Sequence, residues 1–555
     1  MEVNVLKEFY NQRIKRGLVR RLNNLKIAAM ARGVARQEPK PAGAPVVFFK
    51  ASTGIDDLSW NSGFHLLASW GFRLKGIPVI YFACDSGMSH CVLGTNRADV
   101  HKAPPCKSCV YQSKTLYAGL RTLESDSLLS GKQELAPALQ SGVNWFNFRR
   151  DEKLSEAVVG LSVEQMMNFE WQNIPLGALC LPGLRWILRV HHLSDDESTR
   201  FLFREYILSA WNVAQKFDGM LEQTRPRAVV VFNGQFFPEA TARYMAQKRG
   251  IRVITHEVGL QPASAFFTDG EATAYPIAIS ESFELSAAQN AKLDAYLAKR
   301  FQGDFTMAGI KFWPEMQGLD ESFLMKAAGF KQIVPVFTNV IFDTSQPHAN
   351  TVFEDMFEWL DLVLEEIPLH PEALFVIRAH PDELRVRKAS RETVAGWVEA
   401  RRVTDLPNVI FVGPQESLSS YELILKSKFV MVYNSTIGLE ASIVGVPVLC
   451  AGRARFTQYP TVFFPQSVKE MRAKMKEFLE AETIVVPVEF KRNARRFLYY
   501  QLFRTSLPFG DFLEPSVRTT QTRLKSFELE ALAGSEALKV IREGVLEDGD
   551  FLLEE

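Results

Sequence analysis

Apolar residues recur along this chain in two registers. Short runs rich in Val, Ile and Phe occur at 46–50, 229–232, 251–255, 331–338, 374–377, 409–412, 429–433 and 446–450. Each has the length and β-branched content of a buried strand. Between them lie stretches such as HLLASWGFRLKG and FLFREYILSAWNVAQKF, where apolar positions return every three or four residues, the period of an amphipathic helix. Uniformly apolar strands alternating with helices are the pattern of parallel sheets covered on both faces. The pattern predicts an α/β chain of two Rossmann-like halves with a helical insertion and C-terminal helices. The predicted divisions are 1–44, a basic helix and a turn-rich linker; 45–328, a first half carrying a cysteine loop (84–109) and a helical insertion (115–225); 329–489, a second half; and 490–555, a helical tail.

Polar residues cluster where these strands end. Residues 429–433 lead into Asn434, Ser435 and Thr436, then a short helix stopped by Gly445, then another strand. Hydroxyls at a helix N-terminus make an anion site, and Glu440, one turn further, is placed to accept hydrogen bonds from a ribose or sugar diol. An ordinary capped βαβ unit is the competing reading. The strand at 374–377 delivers Arg378, His380, Pro381 and Glu383, and the strand at 409–412 leads to Ser417, Ser419, Ser420 and Tyr421. Three successive strands thus bring polar groups to one carboxyl edge, where open α/β sheets bind ligands. In the first half, the strand at 251–255 ends in His256 and Glu257, and the loop after 46–50 carries Asp56, Asp57, Trp60 and Asn61. Glu257 is the first candidate for a general base, with His256 and Asp343 as alternatives; an ordering role in the loop is the competing reading.

The 555 residues carry a net charge of +0, which argues against general nucleic-acid binding. No apolar run approaches the roughly 18 residues of a membrane span, and the N-terminus lacks the apolar core of a secretion signal, so a cytoplasmic protein is expected. Four of the six cysteines, Cys84, Cys91, Cys106 and Cys109, fall in one short segment and include a C-x-x-C pair. A structural zinc is the first reading; an iron–sulfur cluster and unlinked thiols are the alternatives, with His90 and His101 as spare ligands. Residues 1–36 combine nine Lys and Arg (Lys7, Arg13, Lys15, Arg16, Arg20, Arg21, Lys26, Arg32 and Arg36) with an apolar stripe of Leu6, Tyr10, Ile14, Leu18, Leu22 and Leu25. A helix packed on the protein and a helix lying on a membrane surface, on the inner face of the plasma membrane, both fit that pattern.

The order of RAHPDE, a Ser-Ser-Tyr segment and YNSTIGLEA followed by GVPV resembles bacterial capsule polysaccharide biosynthesis proteins, GT-B glycosyltransferases related to the Kdo-transferring capsule enzymes. The likeness extends upstream through VFTNVIFDTS and ITHEVG and covers most of residues 225–460. It implies a GT-B-like fold, a nucleotide-sugar donor (a CMP-sugar first) held by the His-Pro and Ser/Thr segments, a glycan or lipid-linked acceptor met by the loop of Asp56, Asp57, Trp60 and Asn61 (simple loop polarity being the competing reading), and no catalytic metal. A nucleotide-sugar epimerase of the same fold and a non-enzymatic polysaccharide-assembly protein are the alternatives.

Overall fold

Strands that are apolar on both faces need cover on both faces, and the chain supplies it twice. The computed structural model describes residues 15–51, 54–55, 57–123, 140–302, 318–385 and 389–554. It divides into two units. One comprises Met1–Ile187, Leu193–Thr273 and Leu502–Glu555; the other comprises Leu188–His192 and Ala274–Gln501. The first unit holds β1 (Val46–Phe49), β2 (Val79–Cys84), β3 (Arg121–Thr122), β4 (Gly142–Phe146), β5 (Ala228–Phe232), β6 (Arg252–Val258) and β7 (Ser264–Thr268). The second holds β8 (Gln332–Phe337), β9 (Ala373–Arg378), β10 (Val409–Val412), β11 (Val430–Val432) and β12 (Val448–Cys450). The chain then rejoins the first unit with β13 (Leu507–Pro508), β14 (Leu513–Pro515) and β15 (Thr522–Leu524).

The first sheet runs β13-β7-β6-β5-β1-β2-β4-β3. Its pairings are parallel from β6 to β3, while β7 and β13 add antiparallel to one edge. Phe48, Trp70, Tyr81 and Ile254 share one buried core with Leu538 and Ile541 of the C-terminal segment. The helix Glu536–Leu546 lies so close on the helix Trp60–Leu74 that a Cβ at Gly71 would stand 2.5 Å from the Leu538 side chain. The second sheet is parallel throughout, in the order β10-β9-β8-β11-β12, with Val334, Trp359, Phe375, Met431 and Tyr433 in its core.

The boundaries differ from those expected at 44, 328 and 489, for identifiable reasons. Residues 274–328 group with the second unit because polar side chains anchor their backbone there: Gln458 Oε1 accepts from Ile277 N at 2.9 Å, and Tyr459 Oη donates to Ile277 O at 2.8 Å. The helix Val488–Tyr499 also stays with the second unit, where Arg495 donates to Asn290 Oδ1 at 2.8 Å; only the chain from Leu502 onward is in the first. Residues 115–225 are not wholly helical. GVNWF at 142–146 forms β4, because pairing with the edge of β2 gives its apolar side chains a sheet to join.

The basic segment is not a separate domain. Its helix Arg16–Gln37 buries Asn23, Asn24, Ile27, Ala31 and Val34, and Glu38 beyond it accepts from Arg73 Nη2 at 2.8 Å. The stripe that faces the core is therefore not the leucine stripe. Leu18, Leu22 and Leu25 are exposed by 58%, 58% and 61%. Leu6, Lys7, Tyr10, Arg13 and Ile14 lie outside the described residues. Among the described residues no helix is long and apolar enough to cross a membrane.

Candidate functional site

Each sheet has a place where its strand order reverses, and there the connections leave in opposite directions and open a crevice at the carboxyl edge. In the second sheet that place lies between β8 and β11. The residues following these strands form a hydrogen-bonded chain. Asn339 Nδ2 donates to Asn434 Oδ1 at 2.6 Å, Asn434 Nδ2 to Ser345 Oγ at 3.3 Å, and Ser345 Oγ to Asp343 Oδ2 at 3.1 Å. Thr338 Oγ1 donates to Arg378 O at 3.0 Å and ties the end of β8 to that of β9.

β9 ends on Arg378, and His380 follows. Burial pulls the Arg378 pKa down to about 10, which leaves it cationic at neutral pH, and its Nη2 donates to Glu416 O at 3.3 Å. His380 Nδ1 accepts from Asp382 N at 3.1 Å, so the neutral ring carries its proton on Nε2. Burial holds the His380 pKa below its usual value, against the opposing charges of Asp382 and Asp343. A buried cation and a neutral N–H donor on one strand end suit an anionic leaving group. Ser435 and Thr436 stand half-buried after β11, and Thr436 precedes the short helix Ile437–Ile443 without a side-chain bond to it.

Other expected donor-site residues have structural partners. Glu383 is buried, its Oε1 accepts from Val394 N at 2.9 Å to cap the helix Val394–Ala400, and burial pushes its pKa up to about 7. Pro381 opens the short turn of 3₁₀-helix Pro381–Leu384. The cap of the helix Ser420–Leu425 is Ser419, at 3.2 Å from Glu422 N, while Ser417 and Ser420 are half-buried beside it. Glu440 does not offer a free carboxylate to a diol: Arg300 Nε donates to its Oε1 at 2.6 Å and Tyr421 Oη to its Oε2 at 2.5 Å.

The first sheet reverses between β1 and β5. Lys50 follows β1, is buried, and places Nζ 4.7 Å from the Phe232 ring centroid. Burial lowers its pKa, opposed by Glu239, then Cys109, then Glu257. Glu239 is itself buried; desolvation raises its pKa and Lys50 opposes the rise. Half-buried Glu257 accepts from Asn61 Nδ2 at 3.1 Å. His256 is fully buried, with Nε2 at 3.0 Å from His65 Nδ1 and its ring stacked on Phe267; burial, then the charge of Lys50, brings its pKa down to about 3. A ring so placed stays neutral and holds the sheet to the helix Trp60–Leu74. Two residues expected at an acceptor site instead hold the C-terminal segment: Ser516 Oγ donates to Asp57 Oδ2 at 3.2 Å, and Trp60 Nε1 to Thr519 O at 2.9 Å. Asp56 lies outside the described residues. The four clustered cysteines line one pocket beside Ile55, Met88 and Leu93.

Sequence reasoning missed Lys50, Glu239 and Arg300. The signal for Lys50 was present, as a single charge closing an apolar strand. Arg300 and Glu239 sit on helices whose polar faces carry many charges, and nothing in the pattern marks these two.

Two sheets, one parallel throughout and one parallel but for an antiparallel edge, with polar groups gathered at a reversal in each and a C-terminal segment rejoining the first, define a chain of the GT-B-like α/β class. Residues 319–461, which span the whole second sheet, match the family model described as capsule polysaccharide biosynthesis protein. No curated protein matches the chain by sequence. Among solved structures, the KpsC β-Kdo 2,4-transferase of Thermosulfurimonas dismutans is 11% identical, with 57% of this chain and 88% of that one covered at a TM-score of 0.34. The β-Kdo 2,7-transferase of the same organism is 12% identical, covering 56% and 85% at 0.30. The UDP-GlcNAc 2-epimerase of Neisseria meningitidis is 12% identical, covering 82% and 98% at 0.22. Likeness this remote carries no information on activity.

Proposed function

We propose that this protein is a glycosyltransferase of capsule or related surface-polysaccharide synthesis, moving a sugar from a nucleotide-sugar donor to a glycan or lipid-linked acceptor. The observation that carries the reading is the convergence of Arg378, His380, Asp343 and Asn434 at the reversal of the second sheet, inside the segment that matches the family. In this reading Arg378 and the Nε2–H of His380 stabilise the charge that develops on the leaving phosphate. Ser435 and Thr436 contribute hydroxyls to it, and the Asn339–Asn434–Ser345 chain fixes the crevice wall. Glu257, oriented by Asn61, takes the proton of the acceptor hydroxyl.

Donor identity is open to a direct screen: CMP, UDP, GDP and CDP tested by thermal shift and calorimetry, with CMP the first expectation. His380→Ala removes one hydrogen bond to a charged group, an interaction of about 1.5–3 kcal/mol, so affinity for the preferred nucleotide should fall roughly 10- to 100-fold. Unchanged affinity in a folded variant would place the donor elsewhere. Isomerised nucleotide sugar formed without any acceptor would instead identify an epimerase, and failure to bind any nucleotide would favour an assembly protein.

The helix Arg16–Gln37 supports a peripheral contact with an anionic membrane at the cytoplasmic face. Its leucines Leu18, Leu22 and Leu25 are exposed along one stripe of a strongly basic helix. Each Lys or Arg near such a surface contributes about 1 kcal/mol, and the leucines add apolar insertion. Replacing the three leucines by Ser should lower co-sedimentation with phosphatidylserine-containing vesicles at least about tenfold. Equal binding by both forms would remove the membrane from this proposal.

A further inference from the structure

Cys84 is the last residue of β2, Cys91 lies in the following loop, and Cys106 and Cys109 sit on the first turn of the helix Cys106–Leu116. All four line one pocket, whose other walls include Ile55, Met88, Leu93, Pro104 and Val110. The two residues named as spare ligands are engaged elsewhere: His90 Nδ1 stands 3.9 Å from Glu205, and the His101 ring packs 4.2 Å from that of Phe201.

The backbone around the pocket is arranged for anionic sulfur. Gly87 N donates to Cys84 Sγ at 3.0 Å and Gly94 N to Cys91 Sγ at 3.3 Å. Neither glycine tolerates a side chain. A Cβ at Gly87 would stand 2.3 Å from the Phe146 ring, and one at Gly94 would stand 2.7 Å from Pro104 and 3.0 Å from the Cys91 sulfur.

The spacing of the sulfurs decides between centres. One tetrahedral zinc holds its ligands about 2.3 Å away, which puts the four thiolates roughly 3.8 Å from one another. Among the described residues, the one group of three or more metal-type ligand atoms lying within 4.8 Å of one another is His191, His192 and Asp355, so no three of these four sulfurs meet that spacing. An iron–sulfur cluster interposes several irons and sulfides between its four thiolates and holds them further apart. We propose that Cys84, Cys91, Cys106 and Cys109 bind an iron–sulfur cluster, in place of the single zinc their sequence spacing first suggests. The cluster closes the loop that leaves β2, next to the end of β1.

The test is preparation of the full chain without oxygen, followed by iron, acid-labile sulfide and zinc analysis and X-ray absorption. The expected result is iron and sulfide in equal amounts, about two or four of each per chain, with a visible chromophore that dithionite bleaches. Cys106→Ser should lose it and Cys180→Ser, a core cysteine outside the pocket, should keep it. Should Cys106→Ser fail to fold, iron–iron scattering in the unsubstituted protein still decides the matter. One zinc with four sulfur neighbours, or folded anaerobic protein without iron, overturns the proposal.

Discussion

Glu257→Gln is expected to lower turnover by roughly 100- to 10,000-fold while leaving nucleotide affinity unchanged. The carboxylate is half-buried at the carboxyl end of β6 and is oriented by Asn61 Nδ2 at 3.1 Å. Glutamine keeps the shape and the contact to Asn61 but cannot accept a proton from an acceptor hydroxyl. The nucleotide is assigned to the second unit, so its affinity provides an internal control for folding. The neighbouring His256 does not compete well for the role. It is fully buried against His65 and Phe267, and a ring held to a pKa of about 3 is a poor base at neutral pH. His256→Ala should therefore act through stability, lowering Tm while the folded fraction retains turnover. If Glu257→Gln turns over normally, Asp343 becomes the next candidate. A measured pH–rate profile adds a further check, because the acidic limb of kcat/KM should vanish in Glu257→Gln if this carboxylate is the base.

The second large effect is expected in stability. Arg300→Ala should destabilise the second unit by about 3–5 kcal/mol, because it leaves Glu440 charged in a buried site without its cation. Arg300 donates to Glu440 through Nε and Nη2, both at 2.6 Å, and Tyr421 closes the carboxylate from the other side. A loss of that size corresponds to roughly 6–20 °C in Tm for a unit of this size. Replacing both charges, as Arg300→Met with Glu440→Leu, should cost much less, since no unpaired charge remains. A double variant as unstable as Arg300→Ala would show that packing matters more than charge. A Glu440→Gln protein of normal stability with weakened nucleotide binding would return Glu440 to the role first expected of it, a contact to the sugar or ribose.

The alternation of apolar runs and helical periods by itself determined the class of fold, because a strand apolar on both faces has no stable place except inside a covered sheet. It also located the strand ends. Arg378, His380, Asn434 and Ser435 were legible since any polar residue closing a buried parallel strand must emerge at the carboxyl edge. The clustering of four cysteines in one segment was legible from residue types alone, whereas their meeting in one pocket was decided by the fold. Pattern could not assign partners across sequence distance. Glu440 reads as an exposed ligand group until Arg300, far away in the chain, is seen to claim it. The leucine stripe of the N-terminal helix reads as its packing face until Ile27, Ala31 and Val34 are found buried instead. Asp57 and Trp60 read as acceptor contacts until Ser516 and Thr519 return from the far end of the chain. Strand order, which places the two reversals and hence the candidate sites, depends on which edges pair, and sulfur spacing depends on where a strand end, a loop and a helix start meet. Both follow from long-range closure of the backbone, which local propensity does not encode.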